Sequence, residues 1–240
     1  MKKLVVITGA SSGFGRAMAK RFHDEGHPVL LLARRIELLE ELGLENALCE
    51  QVDVTDKEAF ERAVRKAEDI YGPVDLLVNN AGVMLLGHVE TQSADEWRRM
   101  MDVNVMGVLN GMQIVAEGMK QRRCGTIVNI SSIAGVKPFT NHAAYCASKY
   151  GVVGLSEVVR QELSSYDVRV VRICPGSVET ELLGHTTDEG CLSDYQDWRE
   201  ATGVGSITAE DIANTVHFVY SMPQGVNIRE VQIADTRQDA

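Results

Sequence analysis

Leu4-Val5-Val6-Ile7-Thr8-Gly9-Ala10-Ser11-Ser12-Gly13-Phe14-Gly15 is the stretch on which the reading of the fold turns. Four consecutive apolar residues make a short strand that is covered on both faces. Glycines 9, 13 and 15 let the backbone turn sharply and approach a pyrophosphate closely. From Gly13 to Glu25 the spacing is helical, with Phe14, Ala17, Met18 and Phe22 on one side. A helix that starts there aims free N–H groups and a positive dipole end at an anion. Strand, glycine turn and helix in that order predict a phosphate loop at the edge of an α/β fold.

The same alternation continues outward. Apolar runs predict strands at 29–32, 47–52, 74–78, 126–130, 168–173 and 228–231. Helical spacing predicts helices at 36–42, 56–71 (with Thr55 as N-cap), 93–120 (capped by Ser93), 143–164 and 209–220. Strands apolar at consecutive positions belong to a parallel sheet covered by helices. Repeated strand–helix units imply right-handed crossovers. The predicted fold is therefore α/β, a Rossmann-type doubly wound parallel sheet of about seven strands with helices on both faces. One dinucleotide-binding domain over 1–240 is expected. Residues 181–206 break the rhythm, being polar and holding four glycines. They read as a lid over the ligand edge or as a plain surface loop.

Composition narrows the function. The chain has 240 residues and a net charge of −10, from 24 basic and 34 acidic side chains. That balance speaks against a nucleic-acid partner. Apolar residues make up 45%, yet no run of 18 exists, so no membrane span is expected. The apolar run after Met1-Lys2-Lys3 is too short for a signal peptide. Five cysteines, none in a CxxC pair, read as free thiols of a cytoplasmic protein. The six histidines show no close ligand pairing, so no metal is expected.

The loop spacing is T-G-x-x-x-G-x-G, and with it the chain resembles the short-chain dehydrogenase/reductase family. Further matches follow in order: Asp53-Val54, Asn79-Asn80-Ala81-Gly82, Asn104, Ser131-Ser132, Tyr145-x-x-x-Lys149 and Pro175-Gly176. The resemblance covers about residues 3–235. It implies an oxidoreductase that binds a nicotinamide dinucleotide. By position, Gly9, Ser11, Ser12, Gly13, Phe14 and Gly15 would meet its phosphates. Asp53 and Val54 would hold the adenine edge, and Asn80, Ala81 and Gly82 would border a ribose. Pro175, Gly176, Val178 and Thr180 would lie near the nicotinamide. Asp53 reads equally as a turn cap, and Asn80 as a brace of the sheet.

The second strand ends in Ala33-Arg34-Arg35, where an acidic residue would select NAD. Two guanidinium groups suit a 2′-phosphate, so the coenzyme is read as NADP.

Tyr145 and Lys149 are four apart on one helix and share a face. A nearby ammonium favours the phenolate, so Lys149 is expected to make Tyr145 more acidic. The resemblance makes Tyr145 the proton donor and acceptor. It makes Ser132, thirteen residues earlier, the holder of the substrate oxygen, with Ser131 as the adjacent alternative. Lys149 would also bond the nicotinamide ribose, and Asn104 would anchor a water leading to the lysine. His142 reads as a pocket or packing residue. Val83, Met84, Phe139, Leu182 and Leu183 would form a mostly apolar substrate wall.

The implied reaction is hydride transfer between NADP(H) and a small alcohol or carbonyl compound: a 3-hydroxy acid, aldehyde or ketone. The tail Pro223-Gln224-Gly225-Val226-Asn227-Ile228-Arg229-Glu230-Val231 resembles the branch holding NADP-dependent 3-hydroxy acid, serine and clavulanate dehydrogenases. It lacks the glycine-rich ending of 3-oxoacyl carrier-protein reductases, which stand as the alternative. A non-catalytic NADP-sensing protein is the other. The family pairs subunits through the helices at 93–120 and 143–164, so the resemblance implies a homodimer or homotetramer.

Overall fold

Residues 2–238 are described by the computed structural model. Seven strands run along the chain: β1 (Leu4–Thr8), β2 (Val29–Ala33), β3 (Ala47–Gln51), β4 (Val74–Asn79), β5 (Thr126–Ile130), β6 (Arg169–Pro175) and β7 (Glu230–Ile233). Their order across the sheet is β3-β2-β1-β4-β5-β6-β7, and all pairings are parallel.

Successive side chains of a strand point to opposite faces. Leu4 and Val6 of β1 therefore join one core with α3 (Lys57–Tyr71), α5 (Gly107–Arg122) and α6 (Ala143–Ser164). Val5 and Ile7 join a second core with α1 (Gly13–Asp24) and α8 (Ala209–Ser221). Because both faces are covered, the central strands are apolar at consecutive positions. A polar seam crosses the first core. Asn79 Nδ2 donates to Asn129 Oδ1 (2.9 Å), and Asn129 Nδ2 donates to Ser156 Oγ (2.9 Å). It joins β4, β5 and α6, and a paired network of this kind favours one arrangement of these elements. Strand order reverses between β1 and β4, which opens a crevice at their carboxyl ends.

Several boundaries differ from the sequence reading. Thr55 does not cap α3. Its hydroxyl donates to Asp53 Oδ1 (2.7 Å), and Asp56 caps instead by accepting from Ala59 N (2.9 Å). The helix expected over 93–120 is three pieces: α4 (Ala94–Met101), a π-turn (Asp102–Met106) and α5. Ser93 does cap it, accepting from Glu96 N. β7 begins at Glu230, where that residue comes opposite Arg172 and pairs with it, rather than at Ile228. Residues 181–206 are not a bare loop. They hold a 3₁₀ turn (Glu181–His185) and α7 (Glu189–Thr202), whose N-cap Asp188 accepts from Cys191 N (3.0 Å). No helix among the described residues is long and apolar enough to cross a membrane.

Gly15 lies in the first turn of α1, where a Cβ would run into the Gly9 carbonyl. Gly15→Ala should cost ~1–3 kcal/mol by overpacking. Thermal unfolding should show a Tm lower by several degrees. An unchanged Tm would show that α1 can withdraw from the loop at no cost.

Candidate active site

A cleft of about 630 Å³ opens beyond the carboxyl ends of the strands. Its lining includes Gly9, Ser11, Ser12, Gly13, Phe14, Arg34, Arg35, Asp53, Val54, Asn80, Ala81, Gly82, Ser132, Tyr145, Lys149, Pro175, Gly176, Val178 and Thr180. Two of the residues singled out from the sequence are not in that wall. Gly15 is buried behind the loop and serves close packing. Asn104 is buried beneath the cleft.

The phosphate-loop end is built by backbone geometry. Gly9 and Gly13 have φ of +65° and +49°, where side chains are strained. A Cβ on Gly9 would lie 2.8 Å from Ala81 Cα. Ser12 occupies the N-cap of α1, yet its side chain caps no N–H. The first N–H groups of that helix thus keep their donor capacity for an anion. Thr8, which sequence reasoning left outside the site, holds the turn in place. Its buried hydroxyl accepts from Asn80 N (2.9 Å) and Ala81 N (3.0 Å). Asn80 Nδ2 donates back to the Thr8 and Gly9 carbonyls (2.9 and 3.2 Å), so Asn80 is a brace and a wall residue at once. Asp53 is likewise both, because its carboxylate also accepts from Thr55 N (2.9 Å). Arg34 and Arg35 sit exposed at the mouth. Arg35 Nη2 pairs with Glu181 Oε2 at 2.8 Å and lies 3.4 Å from the hydroxyls of Ser11 and Ser12. The guanidinium holds the Glu181 carboxyl below its ordinary range.

The other end gathers the acid–base candidates. Tyr145 and Lys149 share a buried face of α6, and the Lys149 ammonium lies 5.6 Å from the centre of the phenol ring. Lys149 Nζ donates to the Ile130 carbonyl (3.0 Å). Burial pushes its pKa down to about 8. The expectation that Lys149 acidifies Tyr145 is not met here. Burial of the phenol pushes its pKa up, because a phenolate would lose its hydration, and only the Ser132 hydroxyl opposes this. The two serines separate clearly. Ser131 Oγ donates to the Lys149 carbonyl (3.2 Å) and braces α6. Ser132 Oγ accepts from Ala134 N (3.1 Å) and is the serine that interacts with the phenol. Ser132 is thus both the turn cap and a partner of the Tyr145 phenol.

Both polar atoms of the Asn104 side chain are engaged by protein groups. Its Oδ1 accepts from Val83 N (2.8 Å), while its Nδ2 donates to the Val83 carbonyl and Ser148 Oγ (both 2.9 Å). Gly82 fits between it and the lysine. A Cβ there would meet Asn104 Oδ1 at 3.2 Å and Lys149 Nζ at 3.7 Å.

Val83, Met84, Phe139, Leu182 and Leu183 all line the cleft. His142 does so too. It donates from Nδ1 to the Thr140 carbonyl (2.6 Å), and burial lowers its pKa. Its ring lies 6.4 Å from that of Tyr145 and 5.8 Å from that of Tyr195. Tyr195, Trp198 and Arg199 come from α7, which the sequence reading missed. The signal was there: Asp188 as cap, then Cys191, Tyr195 and Trp198 at helical spacing.

A family model described as short chain dehydrogenase matches residues 3–190. The serine 3-dehydrogenase of Agrobacterium fabrum is 37% identical over 246 aligned positions, covering 99% of this chain and 96% of that protein. The glycine betaine reductase ATRR of Emericella nidulans is 38% identical over 238 residues. That match covers 96% of this chain but only 18% of the relative. Among solved structures, the closed form of a serine dehydrogenase complexed with NADP+ superposes with a TM-score of 0.91. It is 32% identical, with 99% of this chain and 96% of that one covered.

The buried ammonium makes a stability prediction. Unfolded, Lys149 titrates at its ordinary 10.5; folded, at about 8. Between those values the unfolded chain binds more protons, so stability rises with pH. Below pH 8 the full cost of burying the charge is present. Lys149→Met should therefore stabilise the ligand-free protein at pH 7 by up to about 3 kcal/mol. The gain should shrink steadily from pH 8 to 10.5, as denaturant titrations at several pH values would show.

Proposed function

Since the chain belongs to the short-chain dehydrogenase family and is an oxidoreductase, we propose that it moves a hydride between NADP(H) and a small alcohol or carbonyl compound, a 3-hydroxy acid, aldehyde or ketone. The observation that carries this reading is one buried pair. Tyr145 and Lys149 lie together in a cleft continuous with a glycine loop whose helix N-terminus is uncapped. The uncapped N–H groups, the crowding at Gly9 and the two arginines at the mouth all fit a phosphorylated dinucleotide. Arg34 and Arg35 are the groups for a 2′-phosphate. Gly9, Ser11, Ser12, Gly13 and Phe14 suit the pyrophosphate. Asp53, Val54, Asn80, Ala81 and Gly82 suit the adenosine half, and Pro175, Gly176, Val178 and Thr180 the nicotinamide half.

When bound, a nicotinamide coenzyme supplies or accepts the hydride. The chain's own residues handle the proton. Burial keeps Tyr145 protonated at neutral pH, which is the form that donates to a carbonyl oxygen in reduction. Ser132 holds that oxygen through its hydroxyl. Lys149, buried one turn further along α6, is the group for the nicotinamide ribose. Asn104 is a positioning residue that fixes the backbone of Val83 next to Gly82. The 181–206 segment acts as a lid, and its apolar side chains keep water from the reacting atoms.

Other features support the wider setting. The five cysteines are free, which suits a reducing cytoplasm. Met101, Met106, Tyr150 and Val158 are exposed along the stretches 93–120 and 143–164, which suits a homodimer or homotetramer. A single domain over 1–240 agrees with the continuous sheet.

Tyr145→Phe should retain NADPH binding and lose turnover ~10²–10⁴-fold. Full activity in that variant would remove the phenol from the mechanism. Arg34→Asp combined with Arg35→Ala should weaken NADPH and favour NADH, measured as the ratio of the two dissociation constants. An unmoved ratio would refute the assignment of the 2′-phosphate to these arginines.

A further inference from the structure

We propose that Arg199 holds an anionic group of the substrate, so that the enzyme prefers a hydroxy or oxo acid to its neutral analogue. The inference rests on the reading of the cleft as a hydride-transfer site. Arg199 lines the cleft from α7 and is partly buried. Its Nε is sealed from water without a partner among the described residues, so the two unpaired Nη groups are what it offers a ligand in the cleft. Two other arginines show the contrast. Arg35 is paired with Glu181 at 2.8 Å and Arg237 with Asp235 at 3.2 Å, whereas Arg199 meets no such carboxylate among the described residues. Asp194, the acid on the same helix that lines the cleft, is engaged by Asn141 Nδ2 (3.2 Å).

A guanidinium half-removed from water without a partner is unfavourable as it stands. A planar oxyanion that accepts two parallel N–H bonds offsets that cost, and a carboxylate fits. The position favours the substrate over the coenzyme. Arg199 lies one turn beyond Tyr195 on α7. The Tyr195 ring packs 5.8 Å from His142, which packs 6.4 Å from Tyr145, and the Tyr195 hydroxyl donates to Ser177 Oγ (2.9 Å). This face of α7 thus closes over the acid–base end, while Arg34 and Arg35 sit at the phosphate-loop end. His142 is kept neutral by burial, so it offers an anion no competing charge. Met84, Phe139, Leu182 and Leu183 add apolar surface to the wall, and beside such surface an ion pair is strengthened.

The test is NADPH-driven reduction of 3-oxobutanoate and 4-oxopentanoate against their methyl esters, with neutral aldehydes and ketones alongside. The wild-type enzyme should favour an acid over its ester by ~10-fold or more in kcat/KM. Arg199→Gln should collapse that ratio by about 10–100-fold, carried by KM of the acid. Arg199→Lys should restore part of it, and NADPH affinity, read by coenzyme fluorescence, should hold in both variants and confirm that they fold. Equal use of acid and ester by the wild type, or a ratio that survives Arg199→Gln, would overturn the proposal. So would a loss of NADPH affinity with the ratio intact, which would give Arg199 to the coenzyme phosphates. No NADPH consumption with any carbonyl would instead sink the hydride-transfer reading, and the substrate inference with it.

Discussion

The hydroxyl of Thr8 accepts from the amides of Asn80 and Ala81, and it thereby pins the end of β4 against the end of β1 where the strand order reverses. Everything in the cleft is measured from that joint. Asn80 returns two hydrogen bonds to the Thr8 and Gly9 carbonyls, so the two strand ends hold each other reciprocally. The crowding is such that Gly9 has no room for a side chain against Ala81. Beyond the joint the helix α1 presents its open N-terminus, and below it Gly82 leads to Asn104 and Lys149. A buried hydroxyl with all of its bonds made is rigid, and rigidity here transmits directly to where the wall residues stand.

The proposed acid–base pair, Tyr145 and Lys149, is buried at a cost that the anchoring of α6 offsets. Lys149 and Tyr145 are both buried, and burial shifts each toward its neutral form: the ammonium releases its proton more easily, and the phenol holds its proton more tightly. Neither shift serves folding. Each is tolerated because α6 is anchored elsewhere, through Val152 and Leu163 in the core and through the Ser156–Asn129–Asn79 seam. Removing a polar group from such a site often stabilises the fold while abolishing its chemistry, a trade between stability and activity.

What could be read from the chain was what local chemistry decides. The strands at 126–130 and the helix at 143–164 were placed to the residue, because apolar runs and helical spacing suffice there. The π-turn at 102–106 was not legible, because nothing in Asp102-Val103-Asn104-Val105-Met106 departs from an ordinary helical pattern. The neighbourhood of the turn is tertiary. Gly107 packs so closely on Val54 that a Cβ would lie 2.6 Å from its methyl, and Asn104 reaches across to the backbone of Val83. The family resemblance gave Asn104 and Gly15 as site residues, but only the packing shows that both act from behind the wall. Asp53 and Asn80 carried two readings each; the bracing is seen directly, and both residues also face the cleft, since one carboxylate or amide can do the two together.

The 181–206 segment is where pattern and function part company. Its polar composition hid α7, yet that helix supplies much of the wall at the acid–base end. It is held unevenly. At its start, Thr180 packs on Gly13, and Glu181 pairs with Arg35 where both side chains are about half exposed. An ion pair so exposed contributes only ~0–1 kcal/mol and is screened by salt. Further along, Tyr195 is fastened by the Ser177 hydroxyl and by ring contacts with His142 and Trp198. The segment is therefore tied lightly at the phosphate-loop end and more firmly at the end that faces Tyr145. An anion arriving at Arg35 competes with a weak bond, and the helix carrying Tyr195 and Arg199 need not leave its place for the exchange to occur.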